Sequence, residues 1–169
     1  MTADLTPGTD PPVGVSRASV ITNLTYEIVP LRSAEAAISA LPAQSAVSVT
    51  CSPVKGLAAT QELTDRIRRA GHLAIPHLAA RLVSGPSEVE ALARWLRTED
   101  IRVIFVIGGD AEQPVGPYAD STTFLRELLA TDPGVRTVGV ASYPDGHALI
   151  EPAAIDGALR AKQQLLDQA

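Results

Sequence analysis

From Leu24 onward, short β-branched apolar runs alternate five times with Ala-, Leu-, Glu- and Arg-rich stretches of helical period. That alternation leaves few folds open, because two parallel strands must be joined by a crossover long enough to hold a helix. The runs read LTYEIV (24–29), AVSVTC (46–51), LAIPHL (73–78), VIFVI (103–107) and TVGVA (137–141). Their near-continuous hydrophobicity predicts strands buried on both faces. Ser33 is placed to cap the first helix and Thr60 the second, and SEVE at 87–90 has capping-box spacing for the third. Val89, Leu92, Ala93 and Leu96 form one apolar face of that third helix, and Trp95, off the stripe, reads as a packing residue rather than a ligand platform. Phe124, Leu125, Leu128 and Leu129 give the fourth helix its buried face, and the turn DPG at 132–134 ends it. A fifth runs from about Ala153 to the end.

With 46% hydrophobic residues in 169, the chain can bury the core of one domain, read here as 18–169 behind a disordered arm at 1–17 that contains TPGTDPPVG. A net charge of -5 supplies no basic field for a phosphate backbone, so nucleic acid is not an expected partner. No apolar run approaches the length of a membrane span. The single cysteine, Cys51, lies in a strand-like context and reads as a core thiol, consistent with a reducing, cytoplasmic setting.

Five βα units can be completed as an open doubly wound sheet of flavodoxin type or as five-eighths of a (β/α)₈ barrel of TIM type. In the open sheet polar residues gather at one switch point, whereas in a barrel several strands contribute at their C-terminal ends. Here every strand has one: Glu27 in the first, Thr50 and His77 ending the second and third, Asp110 after the fourth, Tyr143 and His147 after the fifth. No glycine-rich phosphate loop follows the first strand, which counts against a nucleotide-binding open sheet.

Glu27 is the most informative residue, because a carboxylate within TYEIV points either into a pocket or outward toward a helix arginine. Buried in a barrel mouth, its pKa would rise and it could serve as a general acid. His77, His147 and Asp110 lack the HxH or HExxH spacing of a metal site, and no GxSxG elbow supports a hydrolase.

Taken together, the strand ends resemble the methylenetetrahydrofolate reductase family from Tyr26 to Ala169. YEIVPLR at 26–32 stands where the family writes FEFFPP(K/R), and VSVTCSPVKG at 47–56 is similar to VSVTYGAGG. HL at 77–78 matches HLTC, IGGD at 107–110 matches LRGD, and VASYPDGH at 140–147 matches VAxYPExH, the most specific of the five. The resemblance implies a (β/α)₈ barrel of which this chain holds the first five units, with FAD at the C-terminal strand ends and NAD(P)H as hydride donor. It implies reduction of 5,10-methylenetetrahydrofolate to 5-methyltetrahydrofolate, supplying methyl groups for methionine. Glu27 would be the general acid toward the bridging folate nitrogen. Asp110 would face the flavin pyrimidine edge, and Gly109 would let the backbone approach the isoalloxazine. Thr50, His77, Ile107, Gly108, Ala141, Tyr143 and His147 match cofactor-contacting positions, with Asp156 and Lys162 a weaker pair on the following helix.

Two departures bear on the cofactor. Gly108 replaces the family's arginine, and YGAGG has become CSPVKG. Losing a charge-assisted bond removes roughly 1.5–3 kcal/mol, so FAD is expected to bind weakly or not at all, with NADH transferring hydride directly to the folate iminium. Family members continue into further βα units, so a five-strand sector would leave the edges of its first and fifth strands unpaired. A second expectation is therefore a non-catalytic remnant or subunit that binds flavin, folate, a second copy or a complementary chain. A third is an open-sheet nucleotide-binding domain.

Overall fold

The structure, a computed structural model, describes residues 24–148 and 150–169. The arm expected at 1–17 lies outside them. In chain order the elements are β1 (Thr25–Ile28), α1 (Ala34–Ser39), β2 (Ala46–Val49), α2 (Gly56–Arg69), β3 (Leu73–Ala79), a 3-10 turn (Ala80–Leu82), α3 (Pro86–Thr98), β4 (Val103–Ile107), α4 (Ser121–Ala130), β5 (Thr137–Val140) and α5 (Pro152–Asp167). The strands form one five-stranded sheet in the order β1-β2-β3-β4-β5, and every pairing is parallel.

Helices α1 to α4 all pack on one face of that sheet. Ala34 and Ile38 of α1 and Leu63 and Ile67 of α2 bury against Ile28, Val47, Val49 and Ala74. Val89, Leu92 and Leu96 of α3, with Phe124, Leu125 and Leu128 of α4, bury against Leu78, Ile104 and Val106. The register pairs Ile28 with Val49, Val47 with Ala74 and Leu78 with Val106, so these strand residues share a face. A doubly wound sheet has a reversal in strand order and helices on both faces. The sequential order of the five described strands has no such reversal, which counts against the doubly wound arrangement.

The other face, helix-free among the described residues in the sense that none of α1 to α4 packs on it, differs from the expectation of burial on both sides. Along β4, Val103, Phe105 and Ile107 are half-buried while Ile104 and Val106 are fully buried, and β3 alternates likewise through Ile75 and His77. The apolar runs were continuous for a different reason: the helix-free face carries some aliphatic and aromatic side chains of its own, between which its polar residues stand.

The caps also depart from expectation. Ser33 precedes α1 without a side-chain capping bond, and Thr60 lies inside α2, where its hydroxyl donates to the Thr50 carbonyl at 3.2 Å. SEVE does not form the box. Glu88 instead reaches back to accept from the Ser84 backbone N–H and hydroxyl, both at 2.6 Å, fixing the entry to α3. Asp120 caps α4, accepting from the backbone N–H groups of Thr122 and Thr123 at 2.8 and 3.0 Å. Trp95 is a packing residue, its indole N–H donating to Asp65 on α2 at 3.0 Å. No helix among the described residues is long and apolar enough to cross a membrane.

Candidate functional site

Because all five strands are parallel, their C-terminal ends lie along one edge of the sheet, and the candidate residues other than Asp156 and Lys162, which are on α5, belong to that edge or to the face beside it. The register sets Glu27 of β1 beside Ser48 of β2, Ser48 beside Ile75 of β3, and His77 beside Phe105 of β4. Glu27, Ser48 and His77 therefore meet on the helix-free face. The Ser48 hydroxyl donates to Glu27 Oε2 at 3.1 Å and lies 3.2 Å from His77 Nε2. Glu27 Oε2 and His77 Nε2 are 3.8 Å apart, too far for a direct hydrogen bond. Ser48 is buried and bridges them.

Glu27 does point to the site face rather than outward to a helix arginine, yet its side chain is 59% exposed, not buried as a barrel mouth would make it. Nothing among the described residues covers that end of the face. His77 is more enclosed, its side chain 13% exposed. Burial lowers its pKa below the ordinary 6.5, and the Glu27 charge opposes that shift. The Phe105 ring lies against the imidazole with centroids 4.8 Å apart.

Thr50, two residues beyond Ser48, holds a buried hydroxyl with no hydrogen-bond partner among the described residues. A buried hydroxyl left so costs about 1–3 kcal/mol unless water or a ligand takes it. Cys51 is buried, and burial raises its thiol pKa, so it is a core thiol.

After β4, Gly109 has φ +90, and a Cβ there would sit 2.9 Å from the Ala79 side chain. The glycine is thus required by its own backbone and by the end of β3, and no ligand need be invoked for it. A Cβ on Gly108 would meet nothing within 4 Å, so its face is open. Ile107 is half-buried at the end of β4, in contact with the edge of the core cluster. Asp110 is exposed, and its loop is held by Arg81, a residue that sequence reasoning passed over. The Arg81 guanidinium donates to the carbonyls of Ala111 and Glu112, each at 2.7 Å, and of Ala119 at 3.0 Å. Its backbone N–H donates to the Gly108 carbonyl at 2.9 Å, and its own carbonyl accepts from Val115.

After β5, Ala141 is half-buried while Tyr143 and His147 are exposed. Their rings meet edge to face at 4.6 Å. The Gly146 N–H donates to the Tyr143 carbonyl at 2.9 Å, with Gly146 at φ +87, so YPDG is a tight turn that brings the two rings together. On α5, Asp156 is exposed but Lys162 is only 5% exposed. Burial lowers the Lys162 pKa, and the charge of Asp120, the α4 cap, opposes that.

Of the positions that the resemblance singles out, Thr50 holds an unpartnered buried hydroxyl, Gly108 faces open space, Gly109 is fixed by its backbone and the Ala79 contact, and Lys162 is buried. Among the described residues no group of three or more His, Cys, Asp or Glu could hold a metal ion. Two of the polar anchors, Ser48 and Arg81, carry no sequence signal, since Ser48 becomes visible only when β1 and β2 are in register and Arg81 only when the loop after β4 folds back over it. None of the protein-family models compared with this chain matches it.

Proposed function

We propose that this chain forms the first five βα units of a (β/α)₈ barrel and acts as a folate reductase resembling methylenetetrahydrofolate reductase, taking hydride from NAD(P)H. Support for the barrel lies in the sequential strand order with α1 to α4 on one face, the arrangement from which a sheet curls with its strands inward. Support for the chemistry lies in one observation: Glu27 stands on the helix-free face with its carboxylate held by Ser48 beside His77.

In this reading the protonated Glu27 donates to the bridging nitrogen of 5,10-methylenetetrahydrofolate. The carbon–nitrogen bond breaks, its electron pair stays on nitrogen with that proton, and an iminium remains. The iminium carbon accepts hydride from the nicotinamide, giving the methyl group and NAD(P)⁺. Asp110, exposed after β4, supplies negative charge that favours the cationic iminium. This step needs no flavin: the hydride passes directly from the nicotinamide to the iminium, in keeping with Gly108 standing where the family has an arginine.

A second reading is favoured by the 59% exposure of Glu27: a chain that binds folate or a complementary chain without turnover, its acid too open to water for the reaction. Oxidation of NADH dependent on methylenetetrahydrofolate separates the two. Turnover abolished by Glu27→Gln supports the reductase, and binding of folate without turnover supports the second reading.

A further inference from the structure

We infer that Ser48 is a positioning residue that fixes which ring nitrogen of His77 carries the proton, leaving Nδ1 of His77 as a bare hydrogen-bond acceptor for a ligand. The inference rests on the geometry of the three side chains with Glu27 as the carboxylate, before it takes up the proton that it donates in the reductase reading, and stands whether or not that reading does. Ser48 has one hydroxyl proton and is 8% exposed, so water does not readily replace its partners. An ionised Glu27 can only accept, and its Oε2 lies 3.1 Å from Ser48 Oγ, so the hydroxyl proton is committed there. Ser48 Oγ is left with lone pairs toward His77 Nε2 at 3.2 Å, and a hydrogen bond at that distance requires Nε2 to be the donor.

A neutral imidazole carries one N–H, so Nδ1 is then unprotonated. Burial favours the neutral ring at neutral pH, against the opposing charge of Glu27 on β1. Ser48 on β2 does not titrate, and the ring's partner on β4 is Phe105, which carries no charge. Among the described residues Nδ1 makes no hydrogen bond. The chain Glu27–Ser48–His77 is therefore directional, and its consequence is a rule of ligand selection. A ligand group over Nδ1 must bring an N–H or O–H donor, as an amide, imide or hydroxyl does, and a group offering only lone pairs is disfavoured there.

The test is nitrogen NMR of the full chain with ¹⁵N-labelled histidine at a pH above the His77 titration, the His77 resonances being assigned by their loss in His77→Gln. The expected spectrum has protonated Nε2 and pyridine-like Nδ1. In Ser48→Ala the preference is lost and both tautomers are populated, and Ser48→Thr, which restores the hydroxyl, restores the single tautomer. Glu27→Leu, at an exposed side chain, removes the acceptor and frees the Ser48 proton to turn toward Nε2, so the Nδ1–H form grows in. A protonated Nδ1 in the unmodified protein overturns the inference, as does an unchanged tautomer in Ser48→Ala. Should Ser48→Ala fail to fold, an unchanged tautomer in Glu27→Leu overturns it.

Discussion

The Phe105 ring occupies the space that a side chain on Gly139 would need: the two residues pair across β4 and β5, and a Cβ on Gly139 would overlap Phe105 Cδ2. Phe105 in turn lies against His77. Gly139→Ala should push the ring off its position, at a cost of about 1–3 kcal/mol for overpacking. The unfolding midpoint should fall by about 2–4 °C for each kcal/mol lost, and the His77 ring-proton shifts should move. An unchanged midpoint with unchanged His77 shifts would show that Gly139 is not where Phe105 is seated.

The adjacent glycines after β4 should respond in opposite ways. Gly109 combines φ +90 with the Ala79 contact, so Gly109→Ala should cost about 1–3 kcal/mol in denaturant unfolding. Gly108 faces open space, and Gly108→Ala should stay within about 0.5 kcal/mol of the parent. Equal losses at both positions would contradict this assignment.

These residues show what could be read from the sequence. The β-branched runs placed all five strands within two residues of their observed ends, because strand and helix periods are local properties of the chain. The strand ends also pointed to Glu27, Thr50 and His77 on the site face. Ser48 was hidden inside AVSVTC, since only its register with Glu27 makes it a bridge. Arg81 was hidden because its acceptors, the carbonyls of Ala111, Glu112 and Ala119, are 30, 31 and 38 residues away in the chain and belong to backbone that carries no side-chain signal. The exposure of Glu27 and the burial of Lys162 were likewise outside its reach, since both depend on which elements cover them.

Arg81 makes a testable claim on the loop that carries Asp110. Replacing it with Met keeps the aliphatic stem and removes three donated bonds. With about 1 kcal/mol as the net worth of one such bond and some solvent exposure at the site, a loss of about 2 kcal/mol is expected. Amide exchange in residues 108–120 should quicken more than exchange in β1 and β2. Uniform quickening across the sheet would mean that Arg81 supports the fold as a whole rather than this loop.

Stability should depend on pH through His77. Its folded pKa is lowered by burial, so between that value and the ordinary 6.5 the unfolded chain binds more protons than the folded one. Stability is then fully present above about 6.5 and falls as the pH drops through the window below it. Urea unfolding from about pH 8 to 5.5 should show the decline, and His77→Gln should flatten that part of the profile. A profile identical in the two proteins would place the titration elsewhere.

The central claim is that Glu27 is the acid of a hydride transfer to folate, and the most direct measurement is NADH oxidation by the purified chain with and without 5,10-methylenetetrahydrofolate, repeated with Glu27→Gln. Folate-dependent oxidation that yields 5-methyltetrahydrofolate and falls at least 100-fold in Glu27→Gln is expected, the scale of about 10²–10⁴ that a general acid contributes. No folate-dependent oxidation, or oxidation that Glu27→Gln leaves intact, would contradict it.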